Sequence, residues 1–163
     1  MTVLAGPYGH PFHPILVTIP IGAWVCSFGF DIASRIADEA DVFAKGAYWL
    51  IGVGILGALV AALVGFLDLF AIPTGTKAFR IGLAHMTINL VVVAVFAVSF
   101  LVRRSDIDAP GEVSVGLIAL SAVALGLLGV SGWLGGTLSF RYGVRVADET
   151  TQATGFGNEG GEH

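Results

Sequence analysis

Hydrophobic and polar positions fall along this chain in long blocks, not in short amphipathic repeats. Four stretches, Pro11–Phe30, Gly46–Leu67, Ile81–Val102 and Val113–Phe140, contain no Lys, Arg, Asp or Glu. Each reaches the roughly 20 residues that carry an α-helix across a bilayer core of about 30 Å. In lipid the backbone must satisfy its own N–H and C=O groups, which makes helices of such stretches. The pattern predicts an all-α fold, an integral membrane four-helix bundle with spans near residues 11–34, 46–70, 81–102 and 113–136.

The connections around Arg35–Lys45, Ala71–Lys77 and Arg103–Glu112 are short, so neighbouring helices are expected to be antiparallel in an up-down-up-down order. Pro73-Thr74-Gly75 and Pro110-Gly111 supply turn chemistry in two of them. Residues 1–146 then form one transmembrane domain, and 147–163, rich in Gly, Thr and Glu, read as a disordered polar tail. The opening residues carry no Lys or Arg and so lack the basic start of a cleaved signal peptide. No period along the chain suggests an internal repeat.

Inside the spans, small and polar residues recur at helical spacing. Span one aligns His13, Val17, Pro20, Trp24, Ser27 and Asp31; span two aligns Gly54, Gly57, Ala61, Gly65 and Asp68. Span three stacks Gly82, His85 and Asn89, and span four aligns Ala122, Gly126, Gly129, Trp133 and Gly136. Helices in lipid associate through small residues, so each stripe is expected to face the bundle. Pro20 cannot donate to the carbonyl four residues earlier and is expected to kink span one. Tyr48, Trp49 and Tyr142 read as interfacial aromatics. Asp31 reads as a structural charge partnered by Arg103, Arg104 or Lys45.

Composition sharpens this picture. Of 163 residues, 55% are hydrophobic and only 12% charged, about half the charge of a soluble domain, which leaves too little polar surface for water. A formal net charge of −4 excludes a basic nucleic-acid face. The single cysteine, Cys26, excludes an internal disulfide and any cysteine-ligated cluster. Lys77, Arg80, Arg141 and Arg145 on one membrane face balance Arg35, Lys45, Arg103 and Arg104 on the other, so the positive-inside rule assigns no orientation. Oligomeric state is left open. No Ser-His-Asp order, phosphate loop or helical His-Glu-x-x-His motif points to soluble enzyme chemistry.

The candidate chemistry lies at one face. Gly9-His10-Pro11-Phe12-His13-Pro14 opens span one, with prolines stiffening the backbone around two histidines. With alternating helix directions, His10, His13, Asp68 and His85 converge from three helices. Ionisable groups in a membrane cost about 2.5–3.5 kcal/mol even on the lenient scale, so a role is expected of them. A b-type haem would take His13 and His85 as ligands, with His10 and Arg80 or Arg141 holding its propionates. A Zn, Cu or Fe ion bound by His10, His13, Asp68 and His85 suits the helix mouth as well. Against both stands a protein without cofactor: a scaffold, a partner subunit, or a proton relay through His85 and Asp68.

Several motifs together carry a resemblance. Gly9-His10-Pro11-Phe12-His13-Pro14-Ile15-Leu16-Val17 with Pro20 resembles the opening of a prokaryotic four-helix membrane family, domain of unknown function 2231. Gly65-Phe66-Leu67-Asp68-Leu69 with Ile72-Pro73, then His85 with Asn89, is similar to its middle, and Gly132 to Val144 to its close. Ser139 and Phe140 stand where the family has a Val-Tyr pair. The resemblance implies a bacterial inner-membrane, multi-pass protein embedded in the lipid bilayer. Relatives joined to Rieske-type iron–sulfur domains imply electron transfer and a partner of that class.

Overall fold

The first apolar stretch folds as two helices in line, α1 (His13–Leu16) and α2 (Thr18–Ala33), interrupted at Val17. Pro20 explains the break: it offers no N–H to the Leu16 carbonyl and its ring crowds that turn. The computed structural model describes residues 12–108 and 110–154, which are helical apart from short connections. Three long helices follow: α3 (Ala40–Leu69), α4 (Lys77–Arg104) and α5 (Val115–Gly136). A five-residue π-helical turn, Thr137–Arg141, extends α5. Helices α3 and α4 begin and end beyond the charge-free stretches, taking in Lys45, Lys77, Arg80, Arg103 and Arg104. Bilayer thickness limits the apolar run, whereas helical hydrogen bonding continues into the headgroup zone.

Local chemistry sets the boundaries. Thr76 caps α4 by accepting the Phe79 N–H at 3.1 Å, and Gly75, at φ +79°, turns the chain into it. Ser114 caps α5 through the Leu117 N–H at 3.4 Å. Where the sequence reads as an unstructured tail, Glu149–Thr154 forms a short exposed helix, α6. Asp148 caps it, accepting the Thr151 N–H at 2.8 Å, and the Thr151 N–H and hydroxyl hold its carboxyl below the usual carboxylate range.

Helix α2 packs on α3, α3 on α4, α4 on α5, and α5 closes back on α2. Between α2 and α3 the contacts run in reverse order along the two helices: His13 meets Ala61, Trp24 meets Gly54, and Phe30 meets Gly46. The centre is apolar, with Trp24 stacked on Phe96 at 4.3 Å amid Ile51, Ala58, Val92 and Ala124. Tyr48, expected at the interface, instead stacks on Phe100 at 4.2 Å inside the bundle, while Trp49 faces outward. Leu56, Leu63, Val123 and Val130 also face outward, as side chains meant for lipid do.

The inward stripes of the first three spans are those expected, but span four is turned. Gly126 and Gly129 have nothing within 4 Å of the position a Cβ would take, and Trp133 is 78% exposed. The buried line on α5 and its extension is Ser121, Ala124, Ser131 and Leu138. Both sides of this helix are lined with small residues, so size alone does not choose between them. The hydroxyls do, because Ser121 and Ser131 find polar partners only inside.

One of those partners closes the end of the bundle away from the histidines. Asp31, fully buried, receives two parallel bonds from Arg103, Nη1 to Oδ1 at 2.6 Å and Nη2 to Oδ2 at 2.7 Å. The Ser99 hydroxyl accepts from Arg103 Nε at 3.1 Å, and Ser121 donates to Asp31 at 3.5 Å. The expected structural partnership of Asp31 is therefore realised by Arg103. Ser34 adds a clasp, accepting the Val113 N–H at 3.1 Å and donating to the Asp31 carbonyl at 2.7 Å.

Candidate functional site

Two histidines meet at the other end. His13, in the first turn of α1, and His85, on α4, lie with ring centres 6.2 Å apart and planes inclined at 82°. Each ring is tied to the helix that follows it in the chain. His13 Nδ1 lies 2.9 Å from the Ala61 carbonyl of α3, and His85 Nδ1 lies 2.8 Å from the Ser131 carbonyl of α5. A carbonyl can only accept, so each Nδ1 carries the proton and each Nε2 keeps a lone pair in the neutral ring.

Glycine makes both contacts possible. A Cβ on Gly65 would stand 2.9 Å from the His13 ring, and one on Gly135 would stand 3.1 Å from the His85 ring. Each glycine sits four residues after the accepting carbonyl, one turn along the same face. The missing side chain is what lets an imidazole lie flat enough on the helix to reach the carbonyl behind it.

Additional groups fasten His85. The Ser131 hydroxyl lies 3.0 Å from Nδ1 and donates to the His85 carbonyl at 3.3 Å. Asn89, one turn further on α4, donates to the His85 carbonyl at 2.9 Å and reaches Nε2 at 3.2 Å. The expected role of Asn89 as a hydrogen-bonding residue is met within its own helix.

Asp68 is close enough to His13 for their charges to interact, but its direct partner is a cation. Arg145 Nε sits 2.9 Å from Asp68 Oδ1, an ion pair out of hydrogen-bond alignment, with both side chains largely buried. Neither Lys77 nor Arg80 supplies this partner. After the π-helical turn, Gly143 (φ +64°) and Arg145 (φ +62°) fold the chain back so that Arg145 reaches the end of α3. Arg80 and Arg141, expected as propionate holders, are exposed, and Arg141 lies 6.0 Å from its neighbour Tyr142's ring. His10 lies outside the described residues.

The structure thus brings His13 and His85 together and sets Asp68 beside them in an ion pair. Among the described residues, no group of three or more His, Cys, Asp or Glu side chains gathers closely enough to hold a metal ion. Of the expected ligands His10, His13, Asp68 and His85, the three that are described do not form such a group. Sequence reasoning missed Ser131, Gly135 and Arg145. Ser131 and Gly135 lie ten and six residues before Arg141 in a run of small residues that offers no contrast. Arg145 follows the last span, and only the left-handed turns bring it back.

Four helices, His13–Ala33, Ala40–Leu69, Lys77–Arg104 and Val115–Arg141, are long and apolar enough to cross a membrane. No curated protein and no solved structure matches the chain. A family model described as a predicted membrane protein does match, over residues 9–148, which takes in all four helices and the paired histidines. The chain therefore belongs to domain of unknown function 2231 (DUF2231) and is a multi-pass membrane protein.

Proposed function

We propose that this protein carries electrons at one face of a bacterial cell membrane, through a b-type haem held by His13 and His85. The observation that carries the reading is the matched pair of imidazoles, each with Nδ1 on a backbone carbonyl and Nε2 left with a lone pair. Ligating histidines almost always donate their other nitrogen in this way, which fixes the tautomer and raises the ligand's basicity. Spacing supports it too. The ring centres stand 6.2 Å apart, room for one metal ion bonded at about 2 Å to a nitrogen of each ring.

The number of donors favours haem over a bare Zn, Cu or Fe ion. Such ions take three or four protein ligands, whereas haem iron needs two. Among the described residues two imidazoles come together and Asp68 is engaged by Arg145. Haem would supply one-electron oxidation and reduction. The residues' part is to hold the iron from two sides and to exclude water with the apolar core beneath. Asn89 would give up its contact with Nε2 while keeping its bond to the His85 carbonyl. Arg80 and Arg141, both exposed, would be the residues to meet its propionates, and a Rieske-type iron–sulfur protein is the partner class the resemblance suggests.

The test is an absorption spectrum of the protein purified in mild detergent, followed by elemental analysis of the same sample. The expected result is a Soret band with iron near one per chain, abolished by His13→Ala and by His85→Ala. Asp68→Asn should weaken or shift the band without removing it. A colourless, metal-free protein would leave the pair as interhelical hydrogen bonds and end the proposal.

A further inference from the structure

The two histidines are one of three pairs that share a single separation. His13 faces His85, Trp24 stacks on Phe96, and Asp31 binds Arg103, and in every pair the partners lie 72 residues apart. Contacts between equivalent positions are the mark of a two-fold axis, because only there does a residue meet its own counterpart. At 1.5 Å per residue, the second and third pairs stand about 16 Å and about 27 Å along the helices from the first. The axis therefore runs parallel to the spans, between the first and the third.

The neighbouring helices repeat the arrangement, with counterparts 70 residues apart. His13 lies on Ala61 and Gly65 of α3 as His85 lies on Ser131 and Gly135 of α5. Ser27 and Ser99, also 72 residues apart, are both fully buried. The chain is thus built from two like helical hairpins. Few of the paired positions carry the same residue, which is why no repeat is legible along the sequence: Trp answers Phe and Asp answers Arg.

From this we infer that the haem site lies on the internal two-fold axis, and that the two imidazoles that would hold the haem are locked nearly perpendicular. The inference rests on the haem reading and specifies its ligation. Each Nδ1 is held by a backbone carbonyl on a glycine-lined helix, with His85 fastened further by Ser131 and Asn89, and the 82° between the ring planes is set by the helices and not by the macrocycle. Perpendicular axial imidazoles leave the iron d orbitals close to degenerate. Oxidised low-spin iron then gives a highly anisotropic paramagnetic resonance signal, whereas parallel imidazoles give a rhombic one.

The decisive measurement is the low-temperature electron paramagnetic resonance spectrum of the oxidised wild-type protein in detergent. A single highly anisotropic low-spin signal is expected. His13→Gly and His85→Gly should each turn the iron high-spin. Added imidazole should restore low-spin iron in both, now with a rhombic signal, because the free ligand lacks the carbonyl that fixes its plane. Haem with a rhombic wild-type signal would overturn the perpendicular, two-fold site while leaving haem binding intact. Protein without haem would overturn both.

Discussion

Asp31 has no exposed surface and is held by both arms of Arg103, with Ser99 and Ser121 completing the polar shell. Removing one partner from such a pair strands the other charge and costs about 3–5 kcal/mol, while replacing both by apolar groups costs far less. Asp31→Leu and Arg103→Leu should therefore each lower the thermal midpoint in detergent markedly, and the double variant should recover most of the loss. A double variant as unstable as the sum of the singles would mean that the two groups act independently. Register explains which cation was chosen. Arg103 continues the buried line Val92, Phe96 and Ser99, whereas Arg104 is turned about 100° away on the same helix. Asp68 offered no comparable clue, since its partner Arg145 lies beyond the last span and arrives by two left-handed residues.

Helix α5 is the element whose orientation is decided by polarity. Its Gly126 and Gly129 look outward, and its Ser121, Ala124 and Ser131 look inward. Ala124→Leu should overpack the centre beside Trp24 and Phe96 and cost about 1–3 kcal/mol. Gly126→Leu, adding a side chain where nothing lies within 4 Å, should stay within about 0.5 kcal/mol of wild type. Thermal unfolding of both variants in one detergent checks this, and equal losses would place the inward face elsewhere. Spans one and two were easier to orient because each carries a bulky or charged marker on its inner line. Trp24 fills the space that Gly54 leaves, and His13 fills the space at Gly65.

At the scale of the molecule, the bundle is closed at both ends by buried polar clusters with an apolar middle. The histidine end and the Asp31 end are 18 residues apart along span one, about 27 Å, close to the thickness of a bilayer core. An even number of crossings would put both termini on one side, so reporters fused at Thr2 and at Gly155 should report the same compartment. Opposite compartments would refute the four-span topology and with it the meeting of His13 and His85 at a single membrane face. The two-hairpin build adds a reason for the even number of spans: each hairpin contributes one histidine, one glycine-lined helix and one half of the far-end clasp.

What the amino-acid sequence determines by itself here is the number of helices, their approximate limits, and the fact that histidines and Asp68 gather near one end. These follow from one-dimensional quantities: the length of charge-free runs, the positions of Pro and Gly, and the alternation of direction across short connections. The inner stripes of the first three spans belong with them, since helical spacing carries His13 to Asp31, Gly54 to Asp68 and Gly82 to Asn89 onto single faces. Only the tertiary structure decides the rest. It turns α5 so that its serines meet Asp31 and His85, gives Asp68 to Arg145, seats each imidazole on a glycine, and sets the two rings at 82°. Those outcomes depend on distances between helices and on the rotation of each about its axis, and no spacing within a single helix contains either quantity.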